Sequence, residues 1–158
     1  MSKYRVHKSQ VRSIAAICEA IADHVARINR LPIEEARALV DKAVEIHDEP
    51  VNLLGYLGDT RPEKANVVCR RDFVNTYMGG GMSNDAGWIL ADDGTIEGSV
   101  SEYDDKWWVD AQPRFWQVAM AHEAIQAAEA NGYILHKSEE NGNIKLVAEM
   151  VASGGSGW

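Results

Sequence analysis

Three arginines and a glycine-rich loop in the middle of the chain carry groups that bind anions. Arg61, Arg70 and Arg71 have guanidinium groups whose planar donors match phosphate or carboxylate oxygens. The loop Gly79-Gly80-Gly81 would offer backbone N–H groups to the same kind of ligand. It lacks the spacing and lysine of a Walker loop and the spacing of a dinucleotide fingerprint. Two interpretations stay open: an anion pocket, or strand-edge charges beside a flexible loop.

The alternative interpretation rests on how these arginines are placed in the sequence. Adjacent residues of a strand point to opposite faces, so Arg70 and Arg71 cannot serve one pocket together. Arg61 has acidic neighbours in Asp59 and Glu63, and a surface pair with either would add little stability. An anion pocket therefore requires the segments around these arginines and the glycine loop to converge in the fold.

A second candidate is the run Tyr103-Asp104-Asp105-Lys106-Trp107-Trp108, which sets aromatic rings beside acids. Adjacent tryptophans in front of a helix can cap the core with one ring and leave the other as a binding platform, and burial of both rings stays open. We expect Trp107 or Trp108 to lie at the rim of the functional surface.

Motifs for catalysis or metal binding are not recognisable in this sequence. His122, with Glu123 and Glu129, falls on the polar edge of its helix, a position typical of a solvated face. The serines lack a nucleophile-elbow context, and Cys18 and Cys69 have no partner at metal-ligand spacing, which favours buried thiols. We predict no catalytic residue, no metal and no cofactor, while an enzyme of unrecognised type stays open.

Composition indicates one globular domain. The chain has 158 residues, 46% of them hydrophobic and 25% charged, with a formal net charge of −8. The acidic balance argues against nucleic acid and anionic membranes as partners. The N-terminus lacks the apolar core of a signal peptide, and no stretch reaches the ~20 apolar residues of a membrane span, so we expect a cytoplasmic protein. We predict a domain over 1–152 and a flexible glycine-rich tail at 153–158.

Hydrophobic periodicity and turn signals divide the chain into helices and strands. The pattern predicts a strand at 3–7, helices at 9–28 and 32–47, an apolar β segment broken by glycine at 51–57, strands at 66–71, 87–91 and 95–103, a helix at 113–131, and strands at 133–138 and 143–150. Ser9 is the expected N-cap of the first helix, and Pro113 is expected to open the third. The predicted core residues are Ile14, Ile21, Val25, Val40, Val68, Ile89, Ile125 and Leu146.

These elements predict an α+β fold, an antiparallel sheet with helices packed on one face. The outline is compatible with a ferredoxin-like split βαβ unit carrying extra strands.

Several segments, taken in order, resemble an uncharacterised family called domain of unknown function 1257, which has chloroplast-encoded, bacterial and phage members. The similar segments are Met1-Ser2-Lys3-Tyr4 with 8–11, 55–61, 65–71, 85–90 with the hairpin at 92–94, 131–133 and 141–147. The chain departs from the pattern at Tyr77 to Ser83, where the glycines look like an insertion, and after Val147. The resemblance implies a compact α+β domain and carries no catalytic residues.

The sequence favours a non-catalytic binding protein that engages a protein partner or sequesters a small ligand. If a phage encodes it, an inhibitor of a host system would fit a small acidic domain. The alternative is a nucleotide or other anion binder that uses the arginine and glycine segment. The expected partners are thus a protein or a small anionic ligand, and self-association stays open.

Overall fold

The computed structural model of this protein describes residues 3–151. In chain order the elements are β1 (Tyr4–His7), α1 (Ile14–Asn29), α2 (Ile33–Ala43), β2 (Glu45–Leu54), β3 (Thr60–Cys69), α3 (Arg71–Tyr77), β4 (Ala86–Leu90), β5 (Ile96–Ser101), α4 (Asp105–Ala130), β6 (Tyr133–Glu140) and β7 (Asn143–Met150), with a 3-10 turn at Glu102–Asp104. The predicted glycine-rich tail at 153–158 lies outside the described residues. No helix within 3–151 is long and apolar enough to cross a membrane.

The main sheet has five antiparallel strands in the order β1-β5-β4-β3-β2, and β6 and β7 form a separate two-stranded sheet. The predicted α+β fold on an antiparallel sheet is confirmed. Strands β2 to β5 follow one another as a meander, whereas a ferredoxin-like arrangement is built on split βαβ units. The suggested ferredoxin-like topology is therefore not the one adopted.

The core lies between α1, α2 and α4 and one face of the main sheet. Helix residues Ile21 and Phe115 belong to the same buried cluster as Val67 and Trp88 of the sheet. On the opposite face, a small cluster forms around Leu53, Ala65 and Val68. A Cβ atom added at Gly87 there would lie 2.5 Å from the Ala65 Cβ, so close packing of the strands requires glycine.

Helix α1 begins later than its predicted N-cap. The Ser13 side chain accepts a hydrogen bond from the Ala16 N–H at 3.2 Å and caps the helix. Ser9 instead donates to the Ile96 carbonyl at 2.6 Å, which ties the entry segment to β5. Both serines suit a cap locally, and the contact with a distant strand decides between them.

Helix α4 begins eight residues before the proline that was expected to open it, and Pro113 lies inside the helix. Trp108 and Phe115, two turns apart on one face of α4, are 0% and 2% exposed and pack on the Trp88 ring. Burial of these rings outweighs the cost of a proline on the exposed side of the helix.

The short helix α3 was not predicted, and the second predicted helix runs too far. Residues 45–47 belong to β2, which pairs with β3 along its length. At the start of α3 the Arg71 N–H donates to Asp85 Oδ1 at 2.8 Å, a cap supplied by a residue fourteen positions later.

The predicted core residues divide into two groups. Ile21, Val25, Val40 and Val68 are buried. Ile14, Ile89, Ile125 and Leu146 are half-buried. Of the cysteines, Cys69 is buried and Cys18 is partly buried, and burial raises the pKa of the Cys18 thiol to about 11.

Candidate functional site

Four large side chains from three separate segments are exposed together around one shallow depression. Leu57 is 85% exposed, and Met82 and Tyr103 are each 72% exposed. Tyr56 completes the set, and the depression that they line measures about 400 Å³. These four side chains are called the apolar patch below. Apolar side chains that gather at one surface, rather than being scattered singly, mark interaction sites on soluble proteins.

Buried polar residues lie directly behind two members of the patch. Ser83 follows Met82 in the sequence, and Asp104 follows Tyr103. Both of these polar residues are almost completely buried from solvent. The Ser83 hydroxyl donates to the Asp104 carboxylate. This bond joins the loop after α3 to the turn before α4, so two patch residues are held at a fixed separation.

Asn84 attaches the third segment of the patch to the same anchor. Its Oδ1 accepts from the Tyr56 N–H at 2.7 Å, and its Nδ2 donates to Ser101 Oγ at 2.9 Å. The Asn84 N–H in turn donates to Asp104 Oδ2 at 3.3 Å. Because a buried and satisfied hydrogen-bond network favours one arrangement, it holds in place the backbone of the three segments that carry the patch.

Arg61 lies at the floor of the depression rather than on an open surface. Its Nη1 is 3.6 Å from Asp59 Oδ2, and its guanidinium carbon is 5.5 Å from the centre of the Tyr4 ring. Arg61 is only 7% exposed. Pairing with Asp59 is the alternative that the sequence offered for this residue.

Arg70 is held by two carboxylates. It donates to Glu45 at 2.7 and 3.0 Å and to Asp85 Oδ2 at 2.7 Å. The hydrogen bond from Arg70 is the main reason that the pKa of Glu45 is lowered below its ordinary value. Arg70 therefore joins β2 to the loop before β4, and its charge is already balanced.

The glycine loop ends α3. Gly79 has a φ of +86°, a left-handed conformation that glycine adopts readily at the end of a helix, and the Gly80 N–H donates to the Val74 carbonyl at 3.2 Å. A side chain at Gly80 would collide with the Ser83 hydroxyl. Arg70 precedes α3 and these glycines follow it, so about 10 Å of helix separates them. Arg61, in turn, lines a depression that neither Arg70 nor any residue of the loop Gly79-Gly80-Gly81 lines, so the structure does not bring these candidates into one pocket.

A larger cleft, of about 520 Å³, lies between α1 and α4, with Gly79 and Gly81 at its edge. Trp107 forms one wall, and its ring centre is 5.4 Å from that of His24. His24 Nε2 is 2.8 Å from the Met78 carbonyl oxygen. Burial of His24 lowers its pKa, so the imidazole is neutral at pH 7. The neutral imidazole packs against the Trp107 ring.

Charges in this cleft are mixed. Its charged side chains are Asp23, Asp104, Asp110, Arg27, Lys106 and Arg114. Arg114 is paired with Asp23 at 3.0 Å and with Glu139 of β6 at 2.6 Å. The cleft therefore offers an aromatic wall with donors and acceptors nearby, and not a positively charged pocket. It shares Tyr103 with the depression beside the apolar patch.

The two tryptophans occupy different environments. Trp108 is 0% exposed and contacts the rings of Trp88, Phe115 and Trp116, so it belongs to the core and cannot touch a ligand. Trp107 faces the cleft. Of the arrangements that the sequence left open, the structure therefore has one ring fully buried, Trp108, and the other half-buried, Trp107.

The third sequence candidate lies outside both concave surfaces. His122, Glu123 and Glu129 lie in the second half of α4 and line neither the cleft nor the depression. Within residues 3–151, no group of three or more His, Cys, Asp or Glu side chains is placed to hold a metal ion.

Sequence reasoning missed most of the patch and its anchors. The sequence pattern places Leu57 at the end of the predicted β segment 51–57 and Met82 outside any predicted element, and it yields no prediction for the polar run Ser83-Asn84-Asp85 as a unit. A signal was present, since three polar residues directly before a buried strand are expected to form hydrogen bonds inside the fold. Their partners, Tyr56 and Asp104 among them, are too distant in sequence to be inferred.

Comparisons of the chain with family models, with curated proteins and with solved structures found no match. The resemblance to the domain of unknown function 1257 family stays a prediction.

Proposed function

We propose that this chain is a non-catalytic binding protein that engages a protein partner through the apolar patch. The supporting observation is that strongly exposed Leu57, Met82 and Tyr103 are carried by backbone that a buried polar network fixes. A preorganised backbone lowers the ordering entropy that is lost on binding, and tyrosine, the residue at positions 56 and 103, is enriched at interface hot spots.

The charge of the chain indicates the kind of partner. A net charge of −8 attracts basic proteins and repels acidic ones over long range. Asp59 lies at the edge of the depression and is partly exposed. We therefore expect a partner that presents apolar side chains surrounded by a basic rim.

The test is purification of the protein from its own cells followed by native mass spectrometry. We expect the parent to retain a second protein, and a variant with Leu57→Ser, Met82→Ser and Tyr103→Ser to lose it at least about tenfold. The matched control replaces Val6, Ile46 and Val109, which are 55%, 58% and 53% exposed, by serine and should retain the partner. A parent recovered without any other protein, or equal loss in both variants, would refute the proposal.

A second candidate function is sequestration of a small ligand in the Trp107 cleft. The observation that favours it is the Trp107 ring fixed against neutral His24 at the wall of a cleft of about 520 Å³, a size suited to small molecules. A planar ligand that stacks on Trp107 fits this geometry. Native mass spectra of the same material should then show an added small mass. That mass should disappear in Trp107→Leu and persist in Trp116→Leu, whose ring lies outside the cleft.

A further inference from the structure

The hairpin formed by β6 and β7 projects from the domain with an unpaired strand edge. Within residues 3–151, β7 pairs with β6 alone, and the hairpin packs mainly against α4. Two-stranded sheets are marginally stable by themselves, and an open edge can pair with another strand. The side chains and the outward backbone groups of β7 therefore determine which strand can pair with its open edge.

The turn geometry determines which backbone groups of β7 face outward. Asn141 and Gly142 have φ values of +52° and +79°, which makes the turn a two-residue type I′ turn with Glu140 and Asn143 as its hydrogen-bonded pair. Alternate residues from Asn143 onward therefore bond to β6, and the Val151 N–H, 3.1 Å from the Gly132 carbonyl, continues the pattern. The outward N–H and C=O groups belong to Ile144, Leu146, Ala148 and Met150.

We propose that β7 pairs antiparallel with β7 of a second copy of this chain, about a two-fold axis at Val147. In this register Lys145 lies opposite Glu149 of the second copy, and the symmetry repeats the pair on the other side. Both sit at non-hydrogen-bonded positions, where side chains are closest, and opposite charges there stabilise pairing. The two neighbouring symmetric registers place Val147 of one copy opposite Lys145 or Glu149 of the other. Neither of them pairs Lys145 with Glu149, so the attraction between these opposite charges favours the register with its axis at Val147.

The apolar face of β7 fits the same register. Ile144 would pair with Met150 of the second copy and Leu146 with Ala148, all through the outward backbone groups. A groove of about 470 Å³ lies between α4 and β7, and its lining side chains include Trp116, Met120 and Ile144. Met150 is 70% exposed in the single chain. In the dimer it enters the groove of the other copy, which removes its apolar surface from water.

Charge reversal tests the register on the full chain. The parent should have a mass twice the 17.5 kDa of one chain by sedimentation velocity. Lys145→Glu alone or Glu149→Lys alone should raise the dissociation constant at least about tenfold, because like charges then oppose each other twice. The double variant should restore the parent value. Lys137→Glu, an equal charge change on β6, should leave dimerisation unchanged.

A cysteine cross-link tests the axis independently. Val147 opposes itself at a non-hydrogen-bonded position, where the Cα separation suits a disulfide. Val147→Cys should therefore form a covalent dimer under mild oxidation, and Lys145→Cys, which opposes Glu149, should not. A monomeric parent at every soluble concentration overturns the proposal. So does a double charge variant that stays monomeric, or equal cross-linking at both positions. None of these results bears on the apolar patch, which lies elsewhere on the molecule.

Discussion

At the scale of single residues, buried polar side chains rather than exposed charges organise the candidate site. Ser83, Asn84 and Asp104 are each almost fully buried and hydrogen-bond to one another or to the backbone of patch residues. A buried polar group that loses its partner costs more than the bond contributed, so these residues are sensitive positions.

Asn84→Ala should lower the free energy of unfolding by about 1–3 kcal/mol, because the Tyr56 N–H loses its acceptor and Ser101 Oγ loses one of its two donors. Urea denaturation monitored by circular dichroism measures the loss. Asn131→Ala is the control, since exposed Asn131 bonds only to a carbonyl of its own helix, and about 0.5 kcal/mol or less is expected. Equal losses in both variants would contradict the anchoring role.

His24 gives the protein a stability that depends on pH. Burial lowers its folded-state pKa below the ordinary value of 6.5, so the unfolded chain takes up a proton first as the pH falls. The contribution of neutral His24 to the free energy of unfolding is therefore complete above about pH 6.5. It is lost progressively as the pH falls from there to the folded-state pKa of His24. Unfolding free energies at about pH 7.5 and 5.5 should differ less in His24→Gln than in the parent. An unchanged difference would exclude His24 as a source.

At the scale of elements, helix α1 joins the core to the cleft. Its apolar stripe buries Ile21 completely, while Ile28 on the same helix is 50% exposed at the edge of the cleft. The helix therefore offers two isoleucines that differ in burial and share their local structure.

Ile21→Ala should cost about 2–5 kcal/mol, because it removes buried methylene groups and leaves a cavity. Ile28→Ala should cost less than about 1 kcal/mol, since the side chain is half in water already. Denaturant unfolding of the two variants supplies the comparison. A loss well under 1 kcal/mol for Ile21 would show that the site relaxes around the smaller side chain.

At the scale of the whole molecule, stability is concentrated in the main sheet and its helices. Val67, Val68 and Trp88 are at most 1% exposed, whereas every residue of β6 and β7 is exposed or half-buried. Regions with few buried apolar contacts open at lower free energy than the core.

Amide hydrogen exchange should follow this division. In the Lys145→Glu variant, amides of β6 and β7 should exchange at least about tenfold faster than those of β3 and β4. In the parent at high concentration, the outward amides of Leu146 and Ala148 should slow if β7 pairs with a second copy. Uniform protection across both sheets in the variant would contradict a weakly held hairpin.

The sequence alone determined the features that arise from neighbouring residues. The 3.6-residue stripe placed α1, the hairpin turns at 92–95 and 141–142 were located, and β7 matched its predicted bounds, because turn residues and periodicity act locally. For the tryptophan pair the sequence offered one buried ring as a possibility, and the start of α4 at Asp105 decided that Trp107 and Trp108 differ in direction by about 100° on one helix.

The tertiary structure decided what depends on distant partners. Asp85 starts α3, fixes Arg70 and accepts from the Leu54 N–H, and none of these contacts is readable from local sequence. Trp108 and Phe115 pack on the Trp88 ring. This packing allows α4 to begin at Asp105, eight residues before Pro113. The apolar patch exists because Asn84 and Asp104 bring three loops together. Long-range hydrogen bonds and ring packing are worth more than local propensity at these positions, so they set the site.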